Sequence, residues 1–268
     1  MTELAIYSAS VIIGLCLGLI GAGGSILTIP VLVYVLKTDP LVSTIYSMFI
    51  VGTCSFVGSV LSYLKNLLDV RTAIQFGIPS IAGVIVARKL IFPALPDRLF
   101  FIGSFEVSKD IAIMVLLAAI MFYVSIKMLT KVANTTSIET SEQSSPLLFI
   151  LQGIVTGIIT GLLGVGGGFL IVPALLLWVR LPIKTAIGTT LFIITLNSAV
   201  GFITSYTSIT IEWPLLVKFA AGAIAGILFG KMLSERMKAD NLEKVLAWFI
   251  IITSVYILYS QFLHHAKG

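Results

Sequence analysis

The sequence predicts an all-α membrane protein, a polytopic transmembrane helix bundle of about eight hydrophobic segments. Two internal four-segment repeats with glycine-broken first helices are expected. Three observations predict this fold: the composition, the lengths of the uncharged runs and the internal repeat. Of the 268 residues, 58% are hydrophobic and only 11% are charged. Soluble domains carry about 25% charged residues, so a soluble enzyme, a secreted disulfide scaffold and a disordered chain are excluded, and the lipid bilayer is the expected surroundings.

Long runs without Asp, Glu, Lys or Arg define the segments. A spanning helix needs about 20 apolar residues, and lipid offers the backbone no partners outside helices and closed barrels. Five runs are about this long or longer: Leu4–Leu36, Pro40–Leu64, Gln143–Val179, Thr185–Ile211 and Val245–Leu263. Three shorter runs are Thr72–Ala87, Ile111–Ile126 and Phe219–Gly230. Arg88 and Lys231, which flank two of these, are expected to anchor them by extending to the membrane interface.

The two halves of the chain resemble each other at an offset of 143 residues. The positions that recur are Gly14, Gly18, Gly21, Gly23, Gly24 and Pro30, as Gly157, Gly161, Gly164, Gly166, Gly167 and Pro173. One constant offset over many positions indicates a duplication. It predicts a first transmembrane repeat over residues 1–129, a polar linker rich in Ser and Thr over 130–146, and a second repeat over 147–268.

The relative direction of the two repeats stays open at this point. If all eight segments cross, the halves are parallel. The first run of 33 residues would, however, be about 50 Å long as one helix, against a hydrocarbon core of about 30 Å. If the first and fifth segments fold as hairpins at their glycines, each half crosses three times and the repeats are inverted. The distribution of Lys and Arg slightly favours eight crossings with broken first helices.

Two glycine clusters, Gly21–Ser25 and Gly164–Gly168, form the candidate binding site. Each glycine weakens a helix by about 1 kcal/mol relative to alanine, so each cluster predicts an unwound turn. Unwound backbone inside a membrane has to be buried in protein or line a wet cavity. Two such ends facing each other near the midplane would bind an anion through backbone N–H groups. The groups concerned belong to Gly23, Gly24, Ser25, Gly166, Gly167 and Gly168. The alternative is that the glycines only allow close helix packing.

Polar side chains in the second segment of each half are expected to orient the anion. The second repeat supplies Thr189, Thr190 and Asn197, and the first supplies Ser47 and Thr53 as weaker candidates. Asn197 is the strongest of them because an amide is costly in lipid and seeks the bundle interior. The alternative for each hydroxyl is a hydrogen bond to the backbone of its own or a neighbouring helix.

Neither catalysis nor a metal, cofactor or nucleic acid is indicated. His264 and His265 lie in the tail, and Cys16 and Cys54 lie in apolar segments without ligand-like spacing. The basic residues lie mostly between segments rather than in a stripe, which fits membrane loops better than nucleic-acid binding.

Two copies of Gly-x-x-Gly-x-Gly-Gly-(Gly/Ser)-x-x-x-x-Pro begin at Gly18 and Gly161, and the second is followed by Lys-Thr-Ala-Ile-Gly-Thr-Thr at residues 184–190. With these motifs the chain resembles the TauE/SafE family of membrane permeases over essentially its whole length. The resemblance implies residence in the bacterial inner membrane and transport of anions such as sulfite, sulfoacetate and other sulfonates. Tyr46 stands where the second copy has Gly188, which predicts an asymmetric site.

We therefore expect a secondary transporter, an exporter or permease of a small sulfur-containing or organic anion, and not an enzyme. The alternatives are an anion channel, or a permease for a different small solute or a metal ion. The transported anion, the direction of transport, the coupling ion and the oligomeric state, a homo-oligomer included, stay open.

Overall fold

A computed structural model gives the architecture and describes residues 3–21, 28–29, 31–36, 38–91, 94, 98–102, 105–108, 118–119, 122–123, 125–126, 129, 146–163, 167–177, 179–206 and 211–265. The helices are α1 (Glu3–Ile20), α2 (Pro40–Leu64), α3 (Val70–Val86), α4 (Pro146–Leu163), α5 (Gly168–Leu177), α6 (Ile183–Ser205), α7 (Trp213–Arg236) and α8 (Ala239–His265). Single π-helical turns lie at Val31–Val35 and Ala87–Ile91. The predicted linker lies outside the described residues except for Pro146, where α4 begins.

Four of the described helices are long and apolar enough to cross a bilayer: Val42–Leu64, Val70–Ile91, Ile183–Ser205 and Trp213–Arg236. Each exposes large apolar side chains, among them Phe56, Ile78, Ile203 and Phe229, which are 57–66% exposed. Water would disfavour so much exposed apolar surface, whereas lipid tails match it. The prediction of a helical membrane bundle is confirmed to this extent.

The expectation of an entirely helical chain is wrong at one place. Strands β1 (Arg98–Ile102) and β2 (Phe105–Ser108) pair antiparallel, with Ile102 opposite Phe105. Phenylalanine, isoleucine and valine favour strands, and these two strands are too short to stand out from an apolar sequence.

Glycines bring the first helix of each half against the third helix of the other half. Gly14 of α1 packs on Ala223 of α7, and Gly157 of α4 packs on Ser80 of α3. A Cβ on either glycine would lie 1.9 or 2.0 Å from the carbonyl oxygen of that neighbour. Both members of the second pair follow those of the first by 143 or precede them by 143 residues. The two interfaces therefore contact in the same way, with the halves exchanged.

Replacing Gly157 by alanine is expected to destabilise the protein, because the new Cβ has no room beside the Ser80 carbonyl. Overpacking of this kind costs about 1–3 kcal/mol. The matched control is Gly77→Ala in α3, where the nearest atom to the new Cβ lies 3.8 Å away. Thermal unfolding of detergent-purified protein should give a lower midpoint for Gly157→Ala and an unchanged or higher one for Gly77→Ala. Equal midpoints would contradict the close approach of α3 and α4.

Helices α2 and α6, which correspond to each other in the sequence repeat, run antiparallel. Met48 near the start of α2 contacts Gly201 near the end of α6. Ser62 at the end of α2 contacts Gly188 near the start of α6. As residue numbers rise along one helix, those of the facing residues fall along the other.

The remaining contacts fix the other directions. The pairs that run parallel are α1 with α7, α4 with α3, α2 with α7 and α3 with α6, through contacts such as Ser10–Gly222 and Gly18–Ile227, Gly153–Pro79 and Gly161–Val84, Gly58–Ile227 and Ser62–Lys231, and Gly77–Ile193 and Ser80–Asn197. Every described helix of the first half therefore runs opposite to the helix that follows it by about 143 residues. Of the two arrangements that the sequence left open, the helix directions support inverted halves, and the slight preference for parallel halves is wrong.

The directions also place the chain between helices. Helices α1 and α2 run the same way, since both run parallel to α7, so the chain returns across the bundle between Gly21 and Pro40. We name the two ends of the bundle by buried basic side chains. At the Lys231 end, α1, α2 and α7 end and α3 and α6 begin; at the Arg88 end, α3, α4 and α6 end.

Candidate substrate path

The backbone breaks where the glycine clusters predict it. Helix α1 ends at Ile20, and Gly21 takes φ +72° while its N–H donates to the Leu17 carbonyl at 2.8 Å. Helix α4 ends at Leu163, Gly167 takes φ +78°, and α5 begins at Gly168. Such positive φ values are routine only for glycine. The predicted ligands Gly23, Gly24, Ser25 and Gly166 lie outside the described residues.

The two breaks do not face each other. Gly21 packs on Ile187, in the first turns of α6 at the Lys231 end. Gly167 packs on Thr160 near the end of α4, at the Arg88 end. Counting helix turns along α6, the breaks lie about 20 Å apart. The expectation that Gly21 and Gly167 belong to one pocket near the midplane is therefore wrong, because inverted halves carry equivalent residues to opposite ends.

Between the breaks, several side chains bury polar atoms that have no hydrogen-bond partner among the described residues. These atoms are the hydroxyls of Ser47, Ser55, Thr190 and Ser198 and the Oδ1 atom of Asn197, and each residue is at most 2% exposed. Buried polar atoms are nearly always paired, and leaving one unpaired costs about 1–3 kcal/mol. We call these five side chains the polar path, since water or a polar ligand is the expected missing partner.

Two members of the polar path lie in the seam between α2 and α6. Ser198 packs on Gly52, where an added Cβ would lie 3.0 Å from the Ser198 Cβ. Ser55 lies between Gly52 and Gly58 on the stripe of α2 that packs on α6, since Gly58 meets Leu191. The two hydroxyls therefore lie near the point where the antiparallel helices cross.

The other members extend the polar path toward both ends. Asn197 turns toward α3, where its Nδ2 atom donates to the Ser80 hydroxyl at 2.8 Å. Thr190 lies two turns earlier on the same face of α6, toward the Lys231 end. Ser47 lies on α2 toward the Arg88 end. Along the bundle axis the polar path covers about 18 Å, most of the distance between the glycine breaks.

The other candidate hydroxyls are engaged by the protein. Thr189 accepts a hydrogen bond from the Asp69 N–H at 3.0 Å. Thr53 donates to the Phe49 carbonyl at 2.7 Å, and Thr195 donates to the Leu191 carbonyl at 2.8 Å. Thr53 thus follows the backbone-bonding alternative rather than facing the path.

Sequence reasoning assigned no substrate role to Ser55, Ser80, Ser198 and Lys231. Ser55 could have been chosen, because it stands at the repeat position of Asn197. Ser80 and Ser198 carry no signal in the sequence, since serine in a membrane helix is usually structural. Lys231 was expected to anchor a helix at the interface, and this is wrong. It is 3% exposed, and its Nζ atom donates to the Ser62 hydroxyl at 2.7 Å.

Each glycine break has a basic side chain beside it. A Cβ on Gly18 would lie 2.9 Å from the Lys231 backbone nitrogen, and one on Gly161 would lie 2.8 Å from Ala87, which precedes Arg88. Arg88 donates from Nη2 to the Met48 sulfur at 3.7 Å. Within the described ranges, no group of three or more His, Cys, Asp or Glu residues could hold a metal ion. The charged chemistry near the path is therefore basic, which suits an anion.

The chain was compared with known families, proteins and structures. Residues 6–257 match the family described as sulfite exporter TauE/SafE. A probable membrane transporter protein of Xylella fastidiosa strain 9a5c is 26% identical over 255 residues, covering 92% of each chain. The probable membrane transporter protein YunE of Bacillus subtilis is 26% identical over 269 residues, covering 93% of this chain and 96% of YunE. No solved structure gives a significant match.

Proposed function

The chain belongs to the sulfite exporter TauE/SafE family, and we propose that it is a secondary carrier for a small sulfur-containing or organic anion, such as sulfite, sulfoacetate or another sulfonate. On this proposal it lies in the inner membrane of a bacterial cell. Its relatives in Xylella fastidiosa and Bacillus subtilis are named probable membrane transporters.

The observation that carries the proposal is the polar path. Five buried side chains in the part of the chain that the structure describes leave polar atoms without a partner, between two glycine breaks and within apolar helices. Hydroxyls and the Asn197 amide can donate to an oxyanion without holding a fixed charge, so the anion would bind without being trapped. Lys231 and Arg88 at the two ends would offset its charge as it leaves water.

The inverted halves support a carrier rather than a fixed pore. Inverted repeats are common in secondary transporters, where one repeat rocks against the other and exposes the site to each side in turn. In this chain the crossing of α2 and α6 lies between equivalent ends, so it is the natural place for such a movement. On this proposal, the Lys231 end and the Arg88 end are the two gates.

Counterflow in proteoliposomes tests the proposed function. Purified protein is reconstituted, and uptake of radiolabelled sulfite under anaerobic conditions is measured with and without unlabelled sulfite inside. We expect saturable uptake that internal sulfite accelerates, absent from protein-free vesicles. An ohmic, non-saturating current would indicate a channel. Vesicles that carry neither sulfite nor sulfoacetate nor isethionate would contradict the proposal.

A further inference from the structure

Three lysines and one glutamate surround the Lys231 end of the polar path. Lys65 of α2 forms an ion pair with the carboxylate of Glu235 on α7. Lys184 of α6 donates from Nζ to the Glu235 backbone carbonyl at 2.8 Å. Lys231, one turn before Glu235 on α7, donates to Ser62 of α2 at 2.7 Å. We call Lys65, Lys184, Lys231 and Glu235 the lysine cluster; it joins three helices.

The lysine cluster leads from solvent into the bundle. The Lys65 side chain is 47% exposed and that of Glu235 is 25% exposed, whereas Lys231 is only 3% exposed. Its inner side meets the polar path, because Gly188, whose added Cβ would lie 2.9 Å from the Ser62 Cβ, is two residues from Thr190. An anion that reaches Lys231 therefore stands at the first member of the path.

The positive charge of the lysine cluster exceeds its negative charge. Glu235 and Lys65 are the charged groups that act on Lys231. The carboxylate of Asp69, also at this end, accepts from the Arg71 and Thr72 N–H groups and caps α3. With three ammonium groups and one carboxylate, the cluster has two positive charges in excess. A small anion is the ligand that would neutralise them.

The Glu235 carboxylate is held on one side only. Its Oε2 atom meets Lys65, while its Oε1 atom is buried and has no hydrogen-bond partner within the described residues. An ammonium group has three protons, of which Lys231 gives one to Ser62. A carboxylate and a sulfonate present similar oxygens to such donors.

We propose that the lysine cluster is an anion-binding station at the Lys231 end of the path, where the transported oxyanion takes the place of the Glu235 carboxylate on Lys65 and Lys231. This inference rests on the proposed function, because the oxyanion is of the sulfite or sulfonate class. Glu235 occupies the station when the anion is absent, which keeps this end closed by tying α2 to α7. Binding of the anion releases that tie and delivers the anion to Thr190.

Equilibrium dialysis against radiolabelled sulfite, at constant ionic strength in detergent, tests the station. Loss of a charge-assisted hydrogen bond should raise the dissociation constant of Lys231→Met about tenfold or more. Lys231→Arg should keep most of the affinity because the charge remains. Glu235→Gln should bind about threefold more tightly, because a competing carboxylate is gone. Lys238→Met, which removes an exposed lysine at the same end, should match the wild type.

The outcomes separate this inference from the proposed function. Sulfite binding that depends on Lys231, without flux in proteoliposomes, would support the station and contradict the carrier. Flux with equal affinity in the wild type and Lys231→Met would overturn the station and leave the carrier standing. If Lys231→Met does not fold, Glu235→Gln decides: a gain in affinity cannot come from misfolding, and an unchanged affinity overturns the station. A wild type that binds no sulfite also overturns it.

Discussion

Replacing Gly167 by valine is expected to remove most of the folded, active protein. Gly167 has φ +78°, a left-handed conformation that costs other residues about 1–2 kcal/mol. A Cβ at this position would lie 1.9 Å from the Thr160 Cγ2 atom, and such overpacking adds about 1–3 kcal/mol. Together these effects are about 2–5 kcal/mol, a large part of a typical folding free energy. Thermal unfolding and the yield of monodisperse protein in detergent measure the loss.

Two further variants separate backbone strain from the steric clash. Thr160→Ser removes the Cγ2 atom that the new side chain meets first, so adding it to Gly167→Val should recover part of the stability. Asparagine tolerates left-handed backbone better than valine, so Gly167→Asn should unfold between the wild type and Gly167→Val. A valine variant as stable as the wild type would contradict the break that begins α5.

The glycine breaks could be predicted from the sequence because their cause is local. Gly21 and Gly167 take positive φ values, and no partner elsewhere in the fold is needed to explain why glycine is required there. The close helix contacts of Gly14 and Gly157 follow equally from the missing Cβ. What local chemistry leaves open is which helix each glycine meets.

Helix direction could not be predicted because an apolar run reads the same whichever way it crosses. Lys and Arg are divided too evenly between the ends to decide the matter, since the positive-inside bias is a statistical preference. The contacts Met48–Gly201 and Ser62–Gly188 settle it for α2 and α6. They also separate the two glycine breaks, which the sequence alone suggested should meet.

The roles of individual polar residues depend on neighbours that the sequence does not specify. Thr53 and Ser55 are two residues apart and look equivalent, yet Thr53 bonds its own helix while the Ser55 hydroxyl has no partner among the described residues. Lys231 resembles an interfacial anchor until α2 brings Ser62 over it. Tertiary packing, not residue type, decides these cases.

Replacing Asn197 by leucine is expected to lower anion transport about tenfold or more while thermal stability stays unchanged or rises. Asn197 is buried at the centre of the polar path with its Oδ1 atom lacking a partner within the described ranges. A leucine removes that unpaired acceptor, whose burial costs about 1–3 kcal/mol. The Ser80 hydroxyl, which loses its donor, can turn to a carbonyl of its own helix. A hydrogen bond to a charged ligand is worth about 1.5–3 kcal/mol, which sets the loss of flux.

The matched control is Thr195→Val, which removes a polar group two residues away on the same helix. The Thr195 hydroxyl donates to the Leu191 carbonyl, so it offers nothing to an anion, and transport should stay within about twofold of the wild type. Because the leucine variant is expected to keep its fold, a loss of flux would come from the missing amide rather than from unfolding. Unfolding and transport that fall together in Asn197→Leu, or flux that survives it, would show that Asn197 supports the bundle and does not contact the anion.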